Sequence, residues 1–271
     1  MKLLLHLCFV CIVLPSWAQQ RKLFVAAGQS NAVGMGDSAL SKVYASSKLF
    51  EYRFSGDSLK VLTDPVGYSE LHFEKANSGS MWPAFASEYS SLSKRDVIIV
   101  QAARGGSSCS NKAELSNYGT WDTTGNLPLF DSAIIKIKAA ERKTGVKASG
   151  IIWSQGERDA NAINTQQLTG EEYIFCMKKL INRFRKALGK NLSFYIVQTG
   201  FYLHHPQAGF DRVRAAQVLI AKEMKAVYIV YDQTGSFSDK GWMKDEIHYS
   251  QPALNNIGET IAKQILQKEK K

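Results

Sequence analysis

Five short apolar runs, rich in β-branched and aromatic residues, alternate with segments of helical apolar spacing along this chain of 271 residues. Uninterrupted apolar runs of this length are typical of strands buried on both faces of a parallel sheet. Strands that alternate with helices predict an α/β fold, a three-layer α/β/α sandwich with a central parallel sheet of about five strands. The runs cover 23–27, 97–102, 150–153, 194–198 and 227–231, and the helical patterns cover about 82–93, 129–143, 170–188, 209–224 and 253–268.

The first 18 residues have the organisation of a secretory signal peptide. A single basic residue, Lys2, precedes an apolar core, and small residues near Ala18 indicate cleavage after that position. The core is shorter than the roughly twenty residues of a membrane span, and no later segment is long and apolar enough to serve as one. We therefore expect an exported protein, periplasmic or secreted. Residues 19–271 contain no linker, repeat or composition break, which predicts a single domain.

The formal net charge of +10 has its densest basic segment at 177–188, where apolar residues recur at helical spacing. The basic side chains are therefore expected on the solvated face of an amphipathic helix. Export argues against a nucleic-acid partner, whereas attraction to acidic glycans stays open. The sequence also leaves open whether Cys109 and Cys176 form a disulfide or remain thiols, and it does not indicate an oligomeric state.

The first apolar run stops at a glycine and presents a serine, in Gly28-Gln29-Ser30-Asn31. A serine hydroxyl becomes a nucleophile near neutral pH only when a base removes its proton and a carboxylate orients that base. Asp245 and His248, three residues apart near the end of the chain, are suited to both tasks. We predict Ser30 as the nucleophile, His248 as the general base and Asp245 as its orienting carboxylate.

Two further polar segments follow the second and third runs, and the Asp245 to His248 segment follows the fifth. In a doubly wound sheet the ligand site lies outside the carboxyl ends of the strands, and all four polar segments fall on that edge. Developing negative charge on an ester oxygen needs preorganised N–H donors. We predict that Ser30, Gly105, Gly106 and Gln155 supply this oxyanion hole.

Two acids of the third segment, Glu157 and Asp159, are candidates for the carboxylate pair that glycoside hydrolysis requires. Their i, i+2 spacing on what reads as one loop does not by itself place them across a sugar ring. We expect them instead to fix Gln155, Arg104 or neighbouring backbone donors by buried hydrogen bonds. Adjacent His204 and His205 have no metal-ligand spacing, so no metal is predicted. Further supporting or substrate-binding candidates are Gln29, Asn31, Arg104 and Trp242, the last as a ring that stacks on a sugar.

With these motifs the sequence resembles the SGNH (GDSL-like) hydrolase superfamily, and within it the sialate O-acetylesterases and the acetylxylan esterases of carbohydrate esterase family six. The segments at 28–31, 105–107 and 245–248 are similar to its nucleophile, glycine and acid-base blocks. In the third block Gln155 stands where the superfamily has asparagine, and Gln155-Gly156-Glu157-Arg158-Asp159 resembles the Q-G-E-x-D of this branch. The resemblance spans essentially the whole predicted mature chain. It implies a flavodoxin-like SGNH hydrolase fold, the catalytic roles given above and no cofactor.

The implied function is that of an exported serine carbohydrate esterase that hydrolyses O-acetyl esters on sugars through an acetyl-serine intermediate. Two alternatives remain, a non-catalytic glycan-binding module on the same fold and a lipase-like GDSL esterase. The sequence of residues 28–32 also nearly matches the G-x-S-x-G nucleophile elbow of α/β-hydrolases. Those enzymes place several strands before the serine, whereas this chain has room for one, which disfavours that fold. The acetylated sugar is undetermined, with specificity expected in 36–80, 108–126 and 202–210.

Overall fold

The structure, a computed structural model, describes residues 21–42 and 48–270, so the predicted signal peptide lies outside the described residues. Seven strands and seven α-helices, together with three short 3₁₀ turns, make up this part of the chain. In chain order they are β1 (Arg21–Gly28), α1 (Ser30–Val33), β2 (Leu49–Arg53), β3 (Ser58–Val61), α2 (Trp82–Ser93), β4 (Asp96–Ala103), α3 (Phe130–Thr144), β5 (Ala148–Ser154), α4 (Glu157–Asn164), α5 (Gly170–Leu188), β6 (Ser193–Val197), α6 (Ala208–Glu223), β7 (Val227–Tyr231) and α7 (Gln251–Glu269).

The strands form one sheet in the order β3-β2-β4-β1-β5-β6-β7. All neighbouring pairs are parallel except β2 and β3, which pair antiparallel. After β1 the chain places β2 and β3 at one edge of the sheet, returns to place β4 beside β1, and then crosses to the other side of β1 at β5. The carboxyl ends of β4, β1 and β5 therefore lie at the point where strand order reverses, which is where α/β sheets bind ligands.

Helices cover both faces of the sheet and produce two buried cores. Leu23, Val25 and Ala27 of β1 pack on the face that carries α3, α5 and α6. Phe24 and Ala26, from the same strand, pack on the opposite face, under α2 and α7. This two-sided burial explains the uninterrupted apolar run and confirms the predicted three-layer α/β/α sandwich. Within the described ranges, no helix combines the length and apolar character that crossing a membrane demands.

The sheet has seven strands rather than the predicted five, because β2 and β3 were missed. In β2 an apolar pattern is broken by Glu51 and Arg53, and Glu51 is nevertheless buried. Its carboxylate is satisfied by the Arg53 guanidinium and by the Gly67 N–H at 2.6 Å. β3 is short, partly exposed and paired with β2 alone. Neither strand has the continuous apolar pattern of a buried strand, because the burial of β2 and the pairing of β3 depend on tertiary partners.

The predicted helices correspond to α2, α3, α5, α6 and α7, with ends that differ by at most two residues. Two short helices were missed, and both lie at the candidate site. α1 begins at Ser30, and α4 begins at Glu157, so Glu157 and Asp159 lie on the first turn of a helix and not on a loop.

Candidate active site

Three of the four polar segments start from strand ends that are aligned across the sheet. Gly28, the last residue of β1, pairs with Ala103 of β4 on one side and with Ser154 of β5 on the other. Parallel strands in this register release their following segments at one level. The nucleophile, glycine and Gln155 segments therefore begin side by side, as the sequence predicted.

Gly28 permits this close approach because it has no side chain. Its φ is +139°, and a Cβ at this position would lie 2.0 Å from the Ser154 carbonyl oxygen. The next residue, Gln29, donates its N–H to the same carbonyl at 3.0 Å. Ser30 then starts α1, and it is 7% exposed. Its hydroxyl is thus held on a short turn directly above the sheet edge.

Asp245 and His248 form the hydrogen-bonded pair that the sequence predicted. His248 Nδ1 lies 2.8 Å from Asp245 Oδ2, while Oδ1 accepts the N–H groups of Ile247 and His248 at 2.9 and 2.8 Å. Partial burial acts to raise the pKa of the Asp245 carboxyl, but these donors outweigh it and leave the pKa below its usual range. Asp245 is therefore a carboxylate at neutral pH, and its orientation is set before any substrate binds.

Asn31 joins the serine segment to the histidine segment. Its Nδ2 donates to the Ile247 carbonyl at 3.3 Å, and its Oδ1 accepts the Tyr249 N–H at 3.3 Å. These two partners flank His248, so the residue that follows Ser30 holds the chain on both sides of the histidine. This bracket connects segments that are more than 200 positions apart in the sequence.

Glu157 fixes the orientation of the Asn31 amide. Its Oε1 accepts the second Nδ2 hydrogen bond of Asn31 at 2.9 Å. Complete burial raises the pKa of the Glu157 carboxyl, and the Asn31 bond and the nearby His248 only partly oppose this. Of the partners predicted for Glu157, which were Gln155, Arg104 or neighbouring backbone donors, neither Gln155 nor Arg104 is bound, and Glu157 fixes the Asn31 amide instead.

Asp159 organises the glycine segment and Gln155 together. Its carboxylate accepts the N–H groups of Cys109 and Ser110 at 2.8 and 3.0 Å and also a hydrogen bond from Gln155 Nε2. Gln155 Nε2 also donates to the Ser107 carbonyl at 3.2 Å. Both hydrogens of this amide are engaged within the protein, so a role for Gln155 in the oxyanion hole stays a prediction.

The burial of Asp159 has a measurable consequence for stability. Burial raises the pKa of its carboxyl to about 6, despite the donors around it. The folded protein therefore binds this proton more tightly than the unfolded chain, and the contribution of Asp159 to stability falls as pH rises from about 4 to about 6. Asp159→Asn lacks this titrating group, so we compare the unfolding free energies of wild type and variant. We expect the difference, wild type minus variant, to decrease by up to about 3 kcal/mol across this range. Urea unfolding of both proteins at each pH measures it, and a difference that increases with pH would contradict the assignment.

The two glycines of the second segment differ in what their N–H groups contact. The Gly105 N–H donates to Glu74 Oε2 at 3.0 Å, whereas the Gly106 N–H has no acceptor among the residues that the structure describes. Gly106 has φ of +69°, a conformation that favours glycine. Of the predicted pair, Gly106 is therefore the donor that is left for a substrate oxygen.

Arg104 and Gln29 hold the neighbouring loops in place. The Arg104 guanidinium donates to the carbonyls of His72, Tyr118 and Asn117 at 2.7, 2.9 and 3.0 Å. Gln29 Oε1 accepts the N–H groups at the start of α4, from Gly156 at 3.3 Å and Arg158 at 3.2 Å. Both side chains bind backbone groups of the protein, which assigns them a supporting role.

The loop that contains His204 and His205 packs against the segment of the Asp245–His248 pair. The Leu203 N–H donates to the Glu246 carbonyl at 2.8 Å, and His205 Nε2 lies 3.8 Å from Glu246 Oε2. The predicted specificity segment 202–210 therefore borders the candidate site. In the described ranges, no group of three or more His, Cys, Asp or Glu side chains could hold a metal ion.

Trp242 lies beside the histidine segment, since its carbonyl accepts the Ser250 N–H at 2.8 Å. Trp242 is half-buried and packs edge-to-face on Phe237, with ring centroids 5.2 Å apart. Cys109 and Cys176 are free thiols in this structure, and burial raises the pKa of both. The disulfide that the sequence left open is therefore not formed here.

Sequence reasoning missed Glu74 and Tyr118, which contact the Gly105-Gly106 turn. A Cβ on Gly106 would lie 2.8 Å from the Tyr118 ring, and Glu74 takes the Gly105 N–H. Neither residue belongs to a motif. Only their position within two of the predicted specificity segments, 36–80 and 108–126, pointed to them.

The fold and the meeting of these segments at one sheet edge are those of an SGNH-type esterase. A family model described as carbohydrate esterase, sialic acid-specific acetylesterase, matches residues 20–267, and the chain belongs to this family of carbohydrate esterases. No curated protein matches the chain in sequence.

Solved structures share the fold at low sequence identity. A protein from Arabidopsis thaliana superposes with a TM-score of 0.71 at 19% identity, over 91% of this chain and 98% of that one. A carbohydrate acetylesterase from Xanthomonas citri gives 0.55 at 17%, over 89% of this chain and 54% of that one. A carbohydrate esterase family 2 enzyme with a carbohydrate binding domain, from Corynascus thermopiles (Myceliophthora fergusii), gives 0.53 at 12%, over 94% of this chain and 68% of that one.

Proposed function

We propose that the protein is an exported serine esterase that removes O-acetyl groups from sugars, with O-acetylated sialic acids as the favoured substrates. The observation that carries the proposal is the Asn31 bracket, which ties the Asp245–His248 pair to the residue next to Ser30. The family description supports the choice of sialic acid. The signal-peptide pattern of residues 1–18 supports export.

The reaction begins when His248 Nε2 takes the proton of Ser30 Oγ as that oxygen attacks the acetyl carbon. Asp245 stabilises the imidazolium that forms, because its Oδ2 already accepts from Nδ1. The carbonyl oxygen becomes negative and is stabilised by N–H donors, for which the backbone groups of Ser30 and Gly106 are the candidates, since both Gln155 amide hydrogens already bind Ser107 and Asp159. His248 then returns the proton to the departing sugar oxygen, which leaves an acetyl ester on Ser30.

Water completes the cycle by the same steps. His248 takes a proton from a water molecule as the water oxygen attacks the acetyl carbon, and it then returns that proton to Ser30 Oγ as the bond between Ser30 and the acetyl group breaks. Acetate leaves and the Ser30 hydroxyl is restored. Chemistry of this kind uses only side chains and backbone groups of the protein and no cofactor.

Acetate release tests both the reaction and the substrate. The mature protein is incubated with O-acetylated sialoglycan, with acetylated xylan and with a chromogenic acetyl ester. We expect release from all acetyl esters that reach the site and a higher kcat/KM for the sialoglycan. Binding without release would indicate a glycan-binding module, a preference for long acyl chains would indicate a lipase-like esterase, and undiminished release by Ser30→Ala would exclude Ser30 as the nucleophile.

The Asn31 bracket makes a separate prediction. Asn31→Ala is expected to lower kcat about 100-fold with little change in KM, because misplacing His248 by about 1 Å weakens proton transfer without removing substrate contacts. Asn255→Ala is the matched control, since Asn255 is also buried and its amide also donates to a carbonyl and accepts an N–H. We expect the control to lose stability but keep kcat. Equal kcat values for the two variants would contradict the positioning role.

A further inference from the structure

Tyr118 places an exposed aromatic ring at the edge of the candidate oxyanion hole. The residue is 46% exposed. A Cβ added to Gly106 would lie 2.8 Å from both Cγ and Cδ1 of the ring, so the ring lies against the Gly106 backbone. Gly106 carries the N–H of this turn that lacks an acceptor among the described residues. Ring and donor are therefore neighbours.

The backbone that carries this ring is held firmly. The Arg104 guanidinium donates to the Tyr118 carbonyl at 2.9 Å and to the Asn117 carbonyl at 3.0 Å. The Tyr118 N–H donates to the Leu115 carbonyl at 3.1 Å, and the next residue, Gly119, accepts the Ser108 N–H at 3.1 Å. A residue whose backbone is fixed in this way loses little backbone conformational entropy when a ligand binds.

Tyr118 has a more accessible ring than Trp242, the sequence-based candidate for sugar stacking. Trp242 is half-buried, packs edge-to-face on Phe237, and has Lys240 Nζ 5.2 Å from its ring centroid. Tyr118 has no ring partner of this kind within the described part of the chain. Its exposed surface is free to contact a substrate.

A pyranose ring matches this arrangement chemically. Sugar rings present faces of C–H groups that pack on an aromatic face, while their hydroxyl groups remain at the edge in water. An O-acetyl group on a ring hydroxyl, such as that at C4 of sialic acid, joins its carbonyl to the ring through one ester oxygen, so a carbonyl at the Gly106 N–H brings the sugar ring close to the Tyr118 ring. We propose that Tyr118 is a sugar-stacking residue that binds the pyranose ring of the acetylated substrate. The proposal rests on the proposed function.

Two substrates separate sugar contact from a structural role. Ethyl acetate carries the acetyl ester without a sugar, and 4-O-acetylated sialic acid carries it on a hydroxyl of the pyranose ring. We expect Tyr118→Ala to lower kcat/KM for the sugar ester about tenfold, mainly through KM, and to change it less than about twofold for ethyl acetate. Tyr118→Phe keeps the ring and should keep the activity. Phe175→Ala is the control, because Phe175 is an exposed aromatic residue on α5, outside the predicted specificity segments.

Each other outcome has a distinct meaning. A similar loss on both substrates would assign Tyr118 to loop structure, and no loss on either would show that the ring does not contact the sugar. Both results overturn the stacking proposal while leaving the esterase intact. If wild type cleaves ethyl acetate but no acetylated sugar, the proposed function fails, and the sugar-stacking role fails with it.

Discussion

Ser30→Ala is expected to lower kcat for acetyl esters by at least about 10⁴-fold, because no other group can form the acetyl-enzyme at this position. KM should change little, since the N–H donors and the loops that contact the sugar remain. Ser30 begins α1 with its neighbour Asn31 bonded to the histidine segment, so the loss of one hydroxyl leaves the backbone contacts in place. Acetate release under saturating substrate measures kcat.

Ser90→Ala is the control for this substitution. Ser90 lies on a helix, α2, and is 8% exposed against 7% for Ser30, so the two changes remove the same atom from equally buried sites. We expect wild-type kcat for Ser90→Ala and similar unfolding free energies for both variants. A Ser30→Ala protein that keeps more than about a tenth of the wild-type kcat would show that another nucleophile acts.

Asp245→Asn is expected to lower kcat about 10³- to 10⁴-fold through the tautomer of His248. Asp245 Oδ1 accepts the N–H groups of Ile247 and His248, so an asparagine would keep its oxygen there and present its NH₂ to His248 Nδ1. His248 would then accept at Nδ1 and carry its proton on Nε2. In that form Nε2 cannot take the proton of Ser30.

Asp239→Asn provides the matched control for charge. Asp239 is an exposed acid in the same stretch of chain, and its substitution removes one negative charge without touching His248. We expect a change in kcat below about twofold for this control, because exposed charges interact weakly across water. A loss smaller than about tenfold for Asp245→Asn would indicate that a different carboxylate orients the histidine.

The buried strands were predictable because their burial is two-sided. β1 sends Val25 to one core and Phe24 to the other, so every position from 23 to 27 is apolar and the run is visible without knowledge of its neighbours. β2 could not be recognised in this way. Its buried Glu51 is tolerated only because Arg53 and the Gly67 N–H satisfy it, and the Gly67 contact is formed by folding.

The candidate catalytic residues were predictable by type, whereas their supporting contacts were not. The Asp245–His248 spacing already favours a hydrogen-bonded pair, because the two residues are three positions apart on one short segment. The Asn31 bracket joins segments from opposite ends of the chain. The sequence predicted a supporting role for Glu157 but did not identify Asn31 as its partner. Helix α4 and the direction of the Glu157 side chain are set by packing.

Sequence alone determined the layered α/β architecture, the common edge of the four polar segments and the residue types Ser30, Asp245 and His248, because these depend on local apolar runs and short spacings. The tertiary structure decided which donors remain free. Glu74 occupies the Gly105 N–H, Asp159 and Ser107 occupy the Gln155 amide, and Tyr118 lies beside Gly106. The Glu74 and Ser107 contacts join residues 31 and 48 positions apart, so this competition for donors exists only once the chain has folded.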